Sequence, residues 1–453
     1  MPRVSILKIC GNPWKSMRKV LTNISAKIMK ERRVVITGLG VVAPNEVGLD
    51  NFRSALKEGR SGIKFDQQLA DLQFSCRVSG TPPIDKENLH EYFTDLELRN
   101  FNSTGIMYGV IAGLDAWKDA GLKPSAEENP DWESGTIFGT GTSGIEKFRE
   151  SIYKIDALQT RRLGSTAVSQ TMNSGISAYL GGKLGLGNQV TTNSSACTTG
   201  TESILMAFDR INSGKAKRIL AGSTSDSGPY IWAGFDAIKV CNFKSNDDPE
   251  AASRPMSASA AGFVPGSGAG ALVIEDLESA LARNAKIYCE ILGGNLNSGG
   301  QRGGGSMTAP NSTAVQKCVK DAILDAGIEA SDIDYISGHL TATSKDATEI
   351  QNLAQSLNRF GKDFPYINSL KALTGHCLSA AASIECVATV LQLSENFVAP
   401  NINCEDLNPE ISAIIDSDCI PQKLVEKELN IAAKVSFGFG DVNGCVIFKK
   451  YKK

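Results

Sequence analysis

The chain reads as an α/β protein built from two duplicated halves. Three observations carry that reading: strands alternate with helices, a helix-ending heptad occurs twice, and a glycine-hinged ribbon occurs twice in the same order. Asp115-Ala116-Trp117-Lys118-Asp119-Ala120-Gly121 reappears as Asp321-Ala322-Ile323-Leu324-Asp325-Ala326-Gly327, each closing a helix with glycine where a left-handed residue is wanted. The ribbon Phe263-x-x-Gly266-x-x-x-Gly270-x-x-Val273-Ile274 returns as Phe437-x-x-Gly440-x-x-x-Gly444-x-x-Ile447-Phe448. The period is far longer than that of a solenoid. The expected division is an extension over 1–30, one half over 31–280 and a second over 281–453, packed about a pseudo-twofold axis.

In chain order, Val34-Val35-Ile36-Thr37-Gly38-Leu39-Gly40 is a buried-strand run ending in a glycine turn. A helical pattern covers 104–121. Thr136-Ile137-Phe138 is a strand opening into the loop Gly139-Thr140-Gly141-Thr142-Ser143-Gly144. That loop lacks the Lys-Ser/Thr of a P-loop and the acidic residue of a dinucleotide site, so it is taken to face a substrate. The turn Asn193-Ser194-Ser195-Ala196-Cys197 leads into a helix over 198–213, and Arg218-Ile219-Leu220-Ala221-Gly222 is the next strand. Ile333-Asp334-Tyr335-Ile336 is a strand with His339 at its end. Asn368 to His376 mirrors Asn193 to Cys197, each after a strand and before a helix of small residues. The alternation predicts a largely parallel, helix-covered sheet, and ligands of such sheets bind beyond the carboxyl ends of the strands.

Composition narrows the function. With 42% hydrophobic and 21% charged residues and a net charge of −2, the chain has ample core, and no bulk field favours nucleic acid or a membrane surface. No apolar run approaches the roughly 20 residues of a membrane span. Eleven scattered cysteines without a Cys-x-x-Cys pair read as reduced thiols in a cytoplasmic compartment. Residues 1–28 carry six basic residues and no acid, which fits a non-core extension ahead of Met29 or an organellar transit peptide.

There are only three histidines. His90 lies in a charged segment and is expected to face solvent. His339 and His376 each follow an apolar run beside Thr or Gly, and with Cys197 they supply a nucleophile and two imidazoles. A cysteine at a strand-to-helix turn has backbone N–H groups and a helix dipole aimed at it, which should lower its pKa and can hold an oxyanion. Zinc is disfavoured, because no close ligand pair and no fourth ligand is evident, and no metal site is expected.

These residues resemble the β-ketoacyl synthases of the thiolase superfamily, over about 31–450. The resemblance rests on the Ala196-Cys197 turn, His339 with Thr341 and Thr343, Lys371 with Gly375-His376, and Ser436-Phe437-Gly438-Phe439-Gly440. It implies a thiolase-like layered αβαβα core and decarboxylative Claisen condensation of a malonyl thioester with an acyl chain on Cys197. It further implies that His339 and His376 hold the malonyl thioester carbonyl, and that Cys197 and Phe439 N–H groups form the oxyanion hole. Phe439 would gate an acyl pocket that includes Thr142, Lys371 and Glu349 would order the histidines, and Thr341 and Thr343 would bind phosphopantetheine. The implied partner is acyl carrier protein, with no cofactor beyond its phosphopantetheine, and the implied assembly is a homodimer or a heterodimer with a related ketosynthase. Arg210, Lys215, Lys217 and Arg218 are candidate carrier contacts.

Departures from the family pattern surround the trio. Leu340 replaces the usual Gly, Arg254-Pro255-Met256-Ser257-Ala258-Ser259-Ala260-Ala261-Gly262 replaces Arg-Pro-Phe-Asp-x-x-Arg-Asp-Gly, Ser267 replaces a Glu, and Asp441 lies in the late Gly-Gly-Thr-Asn stretch. They point to a specialised acyl, polyene or polyketide chain. The alternative is a non-catalytic, chain-length-setting partner subunit, a type that usually lacks the nucleophile.

Overall fold

The computed structural model describes residues 32–84, 86–99 and 101–452. The expected extension over 1–30 lies outside the described residues. Five strands, β1 (Val34–Ala43), β2 (Ser134–Thr140), β3 (Val190–Thr191), β4 (Arg218–Ser225) and β5 (Gly268–Asp276), precede five more, β6 (Cys289–Ser298), β7 (Tyr335–Ser337), β8 (Tyr366–Asn368), β9 (Ile431–Gly438) and β10 (Val442–Lys450). In space they run β8-β7-β9-β10-β6-β1-β5-β4-β2-β3. Each half thus repeats one internal order, with its first strand at the junction. There β1 and β6 pair over only Val34–Ile291, Val35–Glu290 and Ile36–Cys289, so the halves join at a corner.

The sheet is mixed rather than largely parallel. β3, β2 and β4 are parallel, as are β8, β7 and β9, but each half then adds two antiparallel pairings. For one of these pairings the cause is chain length: β9 and β10 are joined by residues 439–441 alone, too short for the crossover that parallel strands need. The equivalent β4–β5 connection spans 226–267 and carries the helix Pro229–Ala237. The two ribbons therefore differ: Phe437 lies within β9, whereas Phe263 lies in a loop ahead of β5.

Helices α1 (Thr104–Asp119), α2 (Gly175–Leu184), α3 (Thr199–Asn212), α4 (Ser312–Asp325), α5 (Asp346–Leu357) and α6 (Ala381–Glu395) complete the layers. α1 and α2 cover the outside of the first half, and α4, with α5 against it, covers the second. α3 and α6 touch each other and strands of both halves, which makes five layers: helix, sheet, helix, sheet, helix. α6 is mostly apolar, and Ala381 through Leu393 are all buried, with Ser383, Glu385, Thr389 and Gln392 hydrogen-bonded inside the core. Close packing here needs glycine: a Cβ on Gly200 of α3 would stand 2.4 Å from the Ser383 nitrogen of α6. The repeated heptads end α1 and α4 as expected, with Gly121 and Gly327 at φ of 70° and 63°.

The structure shifts one pairing. The turn Ala196–Thr198 before α3 matches Leu378–Ala380 before α6, down to φ values of 50° at Ala196 and 51° at Leu378. Ser379, not His376, is therefore the counterpart of Cys197, and His376 sits three residues earlier, on the loop ahead of the turn. No helix among the described residues is long and apolar enough to cross a membrane.

Candidate active site

Cys197, His339 and His376 meet at the carboxyl ends of the parallel strands. One donor atom from each lies within 4.8 Å of the others, and the two imidazole centroids are 5.5 Å apart at 83°. Cys197 is in the short turn ahead of α3, forced by the left-handed Ala196 backbone. Gly438 ends β9 against this turn: a Cβ there would lie 2.9 Å from the Ser195 carbonyl oxygen and 3.2 Å from the Cys197 nitrogen. That close approach aims the Phe439 N–H, with that of Cys197 itself, at the Cys197 sulfur, where both favour the thiolate.

The thiol does not follow the sequence expectation of a lowered pKa. Burial pushes it up to about 11, against the pull of the Lys371 charge and the Phe439 N–H. The helix N-terminus is present, but desolvation outweighs it, so Cys197 rests as a thiol.

Both imidazoles are held by their backbones. The 264–266 segment grips His376: its N–H donates to the Val264 oxygen at 2.7 Å and its oxygen accepts the Gly266 N–H at 2.9 Å. The Leu378 N–H donates to His376 Nδ1 at 3.1 Å, which leaves Nε2 carrying the proton. The N–H of His339 donates to Glu349 at 2.6 Å, its carbonyl accepts Lys371 Nζ at 2.5 Å, and its Nδ1 has no hydrogen-bond partner among the described residues. Burial first, then the Lys371 charge, lowers both imidazoles well below 6.5, so both are neutral at pH 7.

Two carboxylates shape the His339 turn. Glu349 also accepts the Leu340 N–H at 2.9 Å, and Asp346 accepts those of Thr341, Ala342, Thr343 and Met256. Burial raises Glu349 to about 7 and Asp346 to about 6. Leu340, in place of glycine, sits at φ 20° with its side chain buried, and Ala342 at φ 59°. Thr341 and Thr343 are half-buried with hydroxyls 3.1 Å apart. An aromatic wall runs from Phe439 to Phe235 (5.9 Å), Phe263 (5.7 Å) and His376 (5.1 Å).

Other expected residues lie elsewhere. Thr142 is exposed, while its neighbour Ser143 is buried. The basic candidates sit at the wrong end of the sheet. Arg218 begins β4, and Arg210 is at the far end of α3, a helix of about 21 Å that starts two residues after Cys197. Acids also neutralise two of them: Arg218 pairs with Asp131 and Glu275, and Lys217 with Glu133, while Arg210 donates to the Asn188 side-chain oxygen. His90 is exposed, as expected.

Sequence reading missed Glu385 and Lys434. Glu385 of α6 is bound by Lys371 Nζ at 2.5 Å and Lys434 Nζ of β9 at 2.9 Å, and all three are buried. The signal was an acid in the middle of a mostly apolar helix and a lone lysine in an apolar strand. The altered motif is rewired: Ser257 and Arg254 bind Asp406, and Asp441 accepts the Gln301 and Asn311 N–H groups.

Joining two thioesters through carbon needs an acyl acceptor, N–H groups for an oxyanion and neutral donors for an enolate. This cleft offers all three, which is the equipment of a condensing acyltransferase. The family models described as Beta-ketoacyl synthase N-terminal domain and C-terminal domain match residues 31–280 and 288–405. The chain is 34% identical over 425 residues to 3-oxoacyl-[acyl-carrier-protein] synthase 1 of Escherichia coli (strain K12), covering 93% of this chain and 100% of that protein. A β-ketoacyl synthase from Burkholderia phymatum STM815 superposes with a TM-score of 0.83 at 28% identity, over 93% of this chain and 100% of that one. A type II PKS ketosynthase, solved with its acyl-carrier protein and bound to the hexaketide, gives 0.81 at 26%, with the same coverage. The chain belongs to the β-ketoacyl synthase family, with the thiolase-like fold and the condensing activity of that family.

Proposed function

We propose that Cys197 carries an acyl chain delivered by acyl carrier protein and passes it to a malonyl unit on the same kind of carrier. The observation that carries this reading is the meeting of a thiol, two backbone N–H groups and two neutral imidazoles at one point. In the first step the Cys197 sulfur forms a bond to the acyl carbon and the carrier thiol leaves. His339, whose proton no hydrogen bond fixes, takes the Cys197 proton and returns it to the departing thiolate. In the second, malonyl loses carbon dioxide, and imidazole N–H donors stabilise the enolate oxygen where charge develops. The enolate carbon attacks the acyl group, with the oxyanion on the Cys197 and Phe439 N–H groups, and Cys197 leaves as a thiolate that takes up a proton. Covalent capture divides one difficult transfer into two easier ones.

In this reading the pantetheine arm passes Thr341 and Thr343, Phe439 gates the acyl channel, and the reaction draws on no cofactor beyond that arm. Thr142 reaches an acyl pocket only if a second chain closes it. The helix Ile145–Asp156 beside it exposes Phe148, Ile152, Tyr153 and Ile155, a run suited to a homodimer or a related ketosynthase. The expected result in sedimentation equilibrium is a dimer, which Ile152→Glu with Tyr153→Glu disperses to monomer. The ten cysteines among the described residues are all free, which suits a reducing, cytoplasmic compartment.

The test incubates the enzyme with malonyl-ACP and a panel of acyl-ACPs and follows products by intact-protein mass spectrometry. A β-ketoacyl-ACP longer by two carbons is expected. A Cys197 that no donor acylates would favour the partner-subunit reading. Gly438→Ala should retain the fold but push the Phe439 N–H away from the sulfur, lowering condensation by about 10²-fold in steady-state kinetics.

A further inference from the structure

We propose that Lys434 is a positioning residue for the condensation: it holds the far oxygen of Glu385, and so leaves the charge of Lys371 facing the two imidazoles. The geometry is a chain of three buried charges. Lys371 Nζ contacts Glu385 Oε1 at 2.5 Å and Lys434 Nζ contacts Oε2 at 2.9 Å. The Lys434 ammonium also donates to the Val435 carbonyl and, at 3.0 Å, to the Ser436 hydroxyl, which is 2.9 Å from the Thr201 hydroxyl of α3. Its hydrogen bonds thus go to the support, and it meets Glu385 as an ion pair, with no hydrogen bond to the reacting groups. Lys371 instead donates to the carbonyl of His339.

A lone Lys371–Glu385 pair would be neutral, and its field at the histidines would nearly cancel. With Lys434 the trio carries a net positive charge in a low-dielectric interior, where such a field is weakly screened. The ionisable groups facing Lys434 are Glu385 and Cys386 of α6, Cys445 of β10, Lys371 across Glu385, and His339 and His376. Burial keeps the two thiols protonated, Cys386 at about 12. The lysines oppose protonation of both imidazoles, and a protonated imidazole next to Cys197 can neither take its proton nor remain a neutral donor.

The inference rests on the proposed roles of the histidines, so its test reads the imidazoles without substrate. With only three histidines, 13Cε1-histidine labelling resolves each ring by NMR, and His90→Gln assigns the exposed one. In the parent, His339 and His376 should stay neutral well below pH 6.5. In Lys434→Met at least one should gain about tenfold in proton affinity, and the acid limb of malonyl decarboxylation should move up in pH with it. Lys434→Met with Glu385→Gln restores the net charge and should return the titration to within about twofold of the parent, and Lys434→Arg should hardly change it. Unchanged imidazoles in Lys434→Met, or a double variant as shifted as the single one, would overturn the proposal. If Lys434→Met fails to fold and the double variant folds, charge balance is supported. If neither folds, Lys434 has a packing role instead.

Discussion

Cys197→Ala is expected to abolish condensation, by at least about 10⁴-fold, while leaving malonyl-ACP decarboxylation within about tenfold of the parent. The two losses separate because the site does. In the proposed mechanism the sulfur holds the acyl chain, and that transfer has no second route once it is gone. Decarboxylation asks only for neutral donors at the thioester oxygen, and these are held by contacts that do not involve the sulfur. Leu378 fixes the His376 tautomer, and Glu349 with Lys371 grips the His339 backbone. Product mass spectrometry reads the first activity and carbon dioxide release the second. A variant that loses both equally would mean that the thiol takes part in aligning the malonyl group, and the division of labour drawn above would be wrong.

What was legible in the sequence follows from which forces leave a local mark. Glycine at a helix end marks itself through its backbone, so Gly121 and Gly327 exposed the duplication. The reactive trio stood out because the chain has three histidines and two of them follow strands. The register between the halves was misjudged, because residue type drew attention to His376, whereas backbone conformation pairs Ala196 with Leu378. The Cys197 pKa was misjudged because a turn shows its dipole in sequence but not the depth at which it will be buried. The charge of Lys217 and Arg218 hid its balance for the same reason: positive charge is visible along the chain, but the partners Asp131, Glu133 and Glu275 come from other strands and loops. Glu385 and Lys434 lie 49 positions apart by their numbers and meet only when α6 packs across β9.

That meeting carries the largest expected effect on stability. Glu385→Ala should cost about 3–5 kcal/mol, because it leaves two buried ammonium groups facing one another without their shared carboxylate. Glu385→Gln should cost less, since an amide keeps an acceptor for one lysine and fills the same volume. Adding Lys434→Met to Glu385→Ala should recover part of the loss, because one unpaired charge is cheaper than two and methionine fills the strand position with apolar surface. Urea unfolding followed by tryptophan fluorescence, with equal protein concentration throughout, compares the variants. The order matters more than the absolute values: if the double variant proves less stable than Glu385→Ala alone, repulsion between the lysines is not what the carboxylate relieves. The packing of Lys434 against Val435 and Ser436 would then be its contribution, and the field at the histidines would have to come from Lys371 alone.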